Sequence, residues 1–438
     1  LVNDVRPIIS WGRAGSNPAM FVSLWNNGFG LPMQITQNGQ LPMSSYVESP
    51  EFAVYGDTLY LVYADHATSA IYLHRSFNGG ISFSDSILVY SLPGYHLAFP
   101  AVEADDNGNP IVAFLKMEMN ETDPYLFVCK SNDAGNTFML PQDLTPLNTG
   151  KPCECCPLDI THSGDTMVVT YRNNISNMRD FHTAISYDNG LSFTLGARID
   201  FTNFIINQCP TNGVKTIIQH DSLYAVWSSR IGSSYRVKKG SISLTDLQTP
   251  NNNFIDNSVA SNINQSQSSF HGTNDTMAIV WHDNRNGTMD VFFSYSVNGF
   301  YNFSAPVLIN NPAIGGIQQY PDVVYSKGVF HITYVDAFSD KIMYRKAGFD
   351  PVLGAPTILF DNNILVYPTL FNDVVYVDAG ENVLDRVVVY DMNGRKVYET
   401  SLNSERAQLN LNYLHAGAYI LELTTKSNNT YHTKILKH

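Results

Sequence analysis

Three of the five cysteines in this 438-residue chain fall within four positions: Cys153, Cys155 and Cys156 in the stretch GKPCECCPLDI, with Glu154 between them. Cys209 follows in QCPTNG, and Cys129 lies in YLFVCKS. Sulfurs so close in sequence support three chemistries. They can be oxidised to disulfides, hold a soft or borderline metal such as zinc or copper as thiolates, or leave one reactive thiol. His66, His96 and His282 are available as further ligands for the metal reading. Pairing cannot be deduced from spacing. Cys129 sits in an apolar run and reads as a buried thiol. Cysteines clustered like the other four fit an exported protein better than a cytosolic one, and oxidising passage favours disulfides among Cys153, Cys155, Cys156 and Cys209.

A second set of chemically able residues is defined by a repeat. A strand ending in an aromatic residue recurs seven times: IISW to Trp11, YLVY to Tyr63, IVAF to Phe114, VVTY to Tyr171, YAVW to Trp227, AIVW to Trp281 and HITY to Tyr334. Polar residues follow each one: Arg13; Asp65 and His66; Lys116 and Glu118; Arg172; Arg230; His282, Asp283 and Arg285; Asp336. Taken singly these are solvated loop residues. Taken together they would line one mouth if the repeats are arranged in a ring. Four arginines there would suit a carboxylate or sulfate group.

The spacing says what must position them. The octets SFNGGISF, SNDAGNTF and SYDNGLSF begin at Ser76, Ser131 and Ser186, an even step of 55 residues, and a weaker copy, SVNGFYNF, begins at Ser296. In each, Asn78, Asp133 or Asp188 can accept hydrogen bonds from its own turn, while the glycine takes positive φ. A period of this length with about four short strands signals propeller blades. The expected fold is all-β: a seven-bladed β-propeller over residues 1–360, then a small Ig-like β-sandwich over 361–438. Six blades with an N-terminal extension is the alternative. The first blade is expected to lack its innermost strand, which lies upstream of Leu1 or comes from the propeller's C-terminal end. Cys156-Pro157 and Cys209-Pro210 occupy equivalent places on adjacent blades. Their sulfurs therefore belong to the same mouth as the arginines, and a cross-link there would tie two blades together. The octet turns fall on the opposite face and are structural.

Composition narrows the partners. A net charge of −13 argues against a nucleic-acid partner, which needs a basic face, and disfavours anionic membranes. No apolar run approaches the roughly 18–20 residues of a membrane span. The chain begins without a signal peptide, consistent with a targeting segment already removed.

The octets resemble the Asp box, or BNR repeat, of sialidases and related propellers. The run from CECCP through YRNNISNMRDFHTAISYDNGLSF to CPTNG resembles bacterial proteins grouped as sialidase-like. Residues 364–438 closely resemble the type A C-terminal sorting domain of the type IX secretion system of Bacteroidota. The resemblance rests on Pro368, VYDMNGRKV with Gly394, LHAGAYILEL with Gly417 and Tyr419, and the basic end KILKH with Lys434. It implies passage to the outer cell surface, secreted or attached, and contact with the translocon and its shuttle protein.

Whether the chain is an enzyme stays open on sequence. A sialidase needs an arginine triad, a Tyr/Glu pair and an acid/base Asp, and its usual Phe-Arg-Ile-Pro start is absent; VRPI at Arg6 is a poor substitute. The expected function is a secreted or cell-surface propeller that binds glycans or another surface ligand at its mouth. The alternative is a polysaccharide-active enzyme, either a sialidase-like glycoside hydrolase or a lyase using a His/Tyr pair.

Overall fold

The computed structural model describes every residue except 4, 5, 27, 38, 46, 47, 209, 249–251, 311–315, 350–357, 362, 363, 368, 369, 380 and 381. The chain divides into two compact units, Leu1–Tyr344 and Arg345–His438. The cut falls before the expected 360/361 boundary, inside strand Lys341–Phe349.

Among the described residues seven antiparallel sheets succeed one another along the propeller; six are simple up-and-down meanders, and in the fourth the short strand Lys151–Pro152 pairs the same second strand, Thr166–Asn174, as the innermost strand does. The second sheet is typical: Glu51–Tyr55, Thr58–Asp65, Ala70–Ser76 and Ile87–Ser91 pair in chain order. The innermost strands of the later sheets are Tyr95–Ala104, Asp159–Ser163, Val214–Gln219, Gln265–Thr273 and Gln318–Ser326. The first sheet has three strands, and Ile8–Arg13, which carries the aromatic Trp11, leads it where the other sheets place their second strand. Among the described residues the first sheet thus has no strand inside Ile8–Arg13. Rings of Trp25 and Tyr344 stand 5.0 Å apart, so the first sheet meets the seventh and the meander closes on itself. This is a β-propeller.

The aromatic markers explain why the sheets stack. Tyr63, Phe114, Tyr171, Trp227, Trp281 and Tyr334 are all buried on the second strands of their sheets. Trp227 packs with Phe181 of the preceding sheet and Ile242 of its own, and Trp281 with Val226, Phe270 and Phe292. Burying such a side chain fully stabilises by about 1.5–3 kcal/mol, so the period seen in sequence is the period of inter-sheet packing.

The three octets fold alike. Asp133 Oδ1 accepts from the Thr137 amide at 2.8 Å and from Ser131 Oγ at 2.8 Å; Asp188 Oδ1 accepts from the Ser192 amide at 2.9 Å and from Ser186 Oγ at 2.7 Å. Asn78 Oδ1 does the same with the Ser82 amide at 3.0 Å. Gly80, Gly135 and Gly190 take positive φ, and each donates its amide to the opening serine hydroxyl. These turns sit beside the hairpins that join each innermost strand to the second: the Gly79 amide donates to Asp57 O and the Asn189 amide to Asp165 O, both at 2.9 Å. They lie at the end of the sheets opposite the residues that follow the aromatic markers.

The second unit is a β-sandwich. A three-stranded sheet (Leu365–Tyr367, Val374–Asp378, Arg406–Asn410) and a five-stranded sheet (Leu370–Phe371, Thr430–Lys437, Gly417–Thr425, Leu384–Asp391, Lys396–Ser404) supply one shared core. Val375, Val377, Val387, Val389, Leu409, Leu421, Leu423 and Ile435 fill it. Gly394 takes φ 76° in the turn that Asp391 closes by accepting from the amides of Asn393 and Arg395. Tyr419 is buried and donates its hydroxyl to His415 O at 2.8 Å. Gly417 opens the strand that pairs with the last one, and Lys434 is exposed on that last strand. Pro368 lies outside the described residues.

Candidate functional site

The upper mouth of the propeller is shaped by a repeated irregularity. The innermost strands of the third, sixth and seventh sheets each carry a bulge, between Ala98 and Ala101, Ser266 and Ser269, and Gln319 and Asp322. At these places Phe99, Gln267 and Tyr320 hold φ of 52°, 49° and 53°, and Thr211 holds 50° where the fifth sheet begins. Left-handed backbone at a bulky residue is strained, and more so before proline, as at Phe99 and Tyr320. A side chain from the preceding sheet's side holds each of three bulges. The Phe99 amide donates to Glu48 Oε1 at 2.8 Å, the Gln267 amide to Asn212 Oδ1 at 3.3 Å, and the Tyr320 amide to His282 Nδ1 at 3.3 Å. A bulge re-aims its side chain.

Between the fifth, sixth and seventh sheets these side chains form a pocket of about 290 Å³. Its lining includes Tyr235, Gln267, His282, Gln319 and Tyr320, and among the described residues it carries no carboxylate, Lys or Arg. His282 is buried, and burial holds its pKa down to about 4. Because Nδ1 accepts from the Tyr320 amide, the proton of the neutral ring is on Nε2, which donates to Ser266 Oγ at 2.9 Å. Its ring lies edge-on to Tyr320, centroids 5.9 Å apart.

The other residues expected at this mouth are dispersed. Arg172 is buried, its guanidinium over the Phe181 ring and bonded to the carbonyls of Arg179, Ser228 and Asn212 at 2.8, 2.9 and 3.3 Å. It ties the fourth sheet to the fifth and presents no free face to an anion. Arg285 is engaged with Asp283 and, at 2.7 Å, with Asp256, and Trp281 Nε1 donates to Asp283 at 3.0 Å. Arg13 and Arg230 are exposed and bind their own hairpins through Asn17 O and Gly232 O. Each of the four arginines is thus engaged by groups of this chain. Asp65 is buried, accepting from the Leu41 and Thr68 amides. His66 is exposed, 4.9 Å from the His96 ring.

The cysteine cluster lies in a loop of the fourth sheet, between short strand Lys151–Pro152 and innermost strand Asp159–Ser163. Cys153 and Cys156 are buried free thiols whose sulfurs stand 3.3 Å apart; Cys155 Sγ is 3.6 Å from Cys153 and 4.0 Å from Cys156. Two cross-links using all four clustered cysteines are thus not formed, since a sulfur–sulfur bond needs about 2.05 Å. Cys209 lies outside the described residues. Arg179 Nη1 donates to Cys153 Sγ at 2.9 Å and both its Nη atoms reach Glu154, at 2.9 and 3.0 Å. The three sulfurs lie close together, but Cys155 is disulfide-bonded and so offers no thiolate, and the Arg179 cation occupies one side of Cys153. Cys129 is a buried thiol, its pKa pushed up to about 12 by burial.

Sequence reasoning missed Glu48, Asn212, Tyr235, Gln267, Gln319 and Tyr320. The signal nearest to them was the proline just before an innermost strand, at Pro100, Pro210 and Pro321.

Comparison with known proteins places these observations. No curated protein matches the chain in sequence. Among solved structures, the chain resembles the Hadza microbial sialidase Hz136 (14% identity, 78% of this chain and 75% of that one, TM-score 0.46). It resembles a PL25 ulvan lyase bound to -[GlcA(1-4)Rha3S]- (10%, 86% and 97%, 0.47) and the Trypanosoma rangeli sialidase in complex with the inhibitor DANA (12%, 99% and 84%, 0.45). At these values the likeness assigns no chemistry. Among the described residues no helix is long and apolar enough to cross a membrane. Residues 365–438 match the family described as secretion system C-terminal sorting domain. The second unit is thus a type IX sorting domain that engages the secretion system, and the chain is a β-propeller protein exported to be secreted or held on the outer cell surface.

Proposed function

We propose that this chain is a seven-bladed, surface-delivered propeller that binds glycan in the pocket between its fifth, sixth and seventh sheets. The observation that carries the reading is the lining. Two tyrosine rings, two glutamines, Asn212 and a neutral histidine surround it without a charged group. Aromatic faces and amide groups match the apolar ring faces and hydroxyls of a sugar, and a concave mouth is where propellers seat ligands. The neutral lining favours uncharged sugars over a carboxylate-bearing one. A glycan microarray probed with the purified full chain tests this: binding confined to neutral saccharides supports it, and binding only to sialylated or sulfated ones, or to none, overturns it.

One observation favours a catalytic reading as the alternative. His282 and Tyr320 are adjacent in the pocket and His282 is kept neutral, the residue types a polysaccharide lyase uses for proton transfer, which here requires the Tyr320 amide to release Nδ1. Release of unsaturated product from an acidic polysaccharide, read by ultraviolet absorbance, would distinguish that activity from binding alone.

A further inference from the structure

The loop Cys153-Glu154-Cys155-Cys156 contains a Cys-x-x-Cys spacing that neither the propeller scaffold nor the glycan pocket uses. Its two end sulfurs are both free thiols, 3.3 Å apart and nearly excluded from solvent, with relative exposures of 1% and 3%. They differ in their surroundings. Cys153 Sγ faces a guanidinium, Arg179 Nη1 at 2.9 Å, and the Cys153 amide is fixed by donating to Arg172 O at 2.7 Å. Cys156 has the Cys153 sulfur as its neighbour and burial around it. The hydrogen bond from Cys156, then the Arg179 and Arg172 charges, hold the Cys153 thiol low against burial, whereas burial pushes the Cys156 thiol up. A cationic neighbour and a second cysteine three residues on are what make a thiol reactive toward disulfides.

We propose that Cys153 and Cys156 are a redox couple that interconverts between a dithiol and a Cys153–Cys156 disulfide by exchange with a disulfide oxidant, Cys153 being the attacking sulfur. In the first step the Cys153 thiolate attacks one sulfur of the oxidant, R–S–S–R. A bond forms between Cys153 Sγ and that sulfur, the oxidant's S–S bond breaks, and one RS⁻ leaves. In the second, Cys156 gives its proton to water and its thiolate attacks Cys153 Sγ. The Cys153–Cys156 bond forms, the mixed disulfide breaks, and the second RS⁻ leaves. The dithiol loses two electrons and two protons, and the oxidant becomes two RSH. A dithiol reductant reverses both steps.

The sulfurs sit in a loop whose Glu154 and Cys155 are half-exposed. Moving residues 153–157 admits a small disulfide without opening a blade. Oxidation also removes the anion that Arg179 meets at Sγ, leaving Glu154 as its carboxylate partner.

Native full-length chain is incubated with oxidised glutathione, acid-quenched, alkylated and peptide-mapped. The expected result is two fewer alkylatable thiols in the peptide carrying Cys153 and Cys156, restored by dithiothreitol, with Cys129 unchanged. In Cys156→Ser a glutathione adduct accumulates on Cys153. In Cys153→Ser, adduct formation at Cys156 is at least about tenfold slower, and Arg179→Gln slows adduct formation on Cys153 by about tenfold. Both thiols remaining alkylatable in excess oxidant would overturn the proposal. So would equal reactivity of the two cysteines, or stoichiometric zinc in the purified chain that protects both. The wild-type peptide map decides alone if a variant does not fold.

Discussion

Lys215 Nζ stands 3.5 Å from Glu51 Oε2, although 164 positions separate them in the chain. Each lies on an innermost strand, Lys215 in the fifth sheet and Glu51 in the second. Asp159 of the fourth sheet joins them, 3.4 Å from the ammonium and accepting from the Thr216 amide at 2.7 Å; Asp322 of the seventh acts on the same charge. One cation thus serves three carboxylates around the propeller axis. Burial alone would lower the Lys215 pKa, but the three carboxylates more than offset it and the net shift is upward. Burial raises Glu51 and Asp159 despite Lys215.

Lys215→Met should therefore destabilise by about 1–3 kcal/mol, below the 3–5 of a fully buried pair because solvent reaches the channel. The sign of its pH dependence is fixed. Glu51 and Asp159 have raised folded pKa values, so their contribution is best below the unfolded value and is lost as pH rises through the folded one. The variant's deficit should grow from pH 5 to pH 8 in denaturant melts. An equal deficit at both would show that the cluster is not coupled to Lys215.

His282 titrates in the other direction. Its folded pKa of about 4 lies below the ordinary 6.5, so the unfolded chain takes up the proton first. Stability should be intact above about pH 6.5 and fall as pH drops toward 4, by up to about 3 kcal/mol from this group. His282→Gln should flatten that fall. His182, also held near 4 by burial and then by Arg198, supplies a second, separable share. A change between pH 6.5 and 4 of the same size in wild type and His282→Gln would contradict the assignment to His282.

Asp188→Ala should remove the acceptor for the Ser192 amide and the Ser186 hydroxyl, lowering the melting temperature by roughly 2–5 °C. Because this turn lies at the far end of the sheets, glycan affinity of the folded protein should be unchanged. Affinity lost without loss of melting temperature would mean the binding face has been misplaced.

Deleting residues 364–438 should leave the propeller folded and abolish export. Among the described residues the last strand of the seventh sheet ends at Asp361, while the sorting domain has its own core. Cell fractionation with an antibody to the propeller reads the outcome, and normal surface delivery of the truncated chain would contradict it.

The repeat was legible because its signal is packing. The buried aromatic at Tyr63, Phe114, Tyr171, Trp227 and Trp281 recurs at each sheet interface, and burial selects residue type strongly. The sorting sandwich was legible through Gly394, Tyr419 and the strand pattern around them. The site was not. Arg172 and Arg285 carry the types expected of an anion clamp, but what a guanidinium meets is decided by carbonyls and carboxylates on the next sheet, such as Ser228 O and Asp256. The pocket itself is made by bulges at Gln267 and Tyr320, held by Asn212 and His282 from different loops at different offsets. No fixed spacing encodes that arrangement.

The central claim is that this surface-delivered propeller binds glycan in the pocket of Gln267 and Tyr320. It is tested most directly by calorimetric titration of the full-length chain with the saccharide bound best on the microarray. Gln267→Ala and Tyr320→Ala should each raise Kd at least about tenfold, one lost hydrogen-bonding or stacking contact being worth on the order of 1.4 kcal/mol, while Arg13→Ala and Arg230→Ala stay within about twofold of wild type. Unchanged affinity in the first pair, with affinity lost in the arginine variants, would contradict the account.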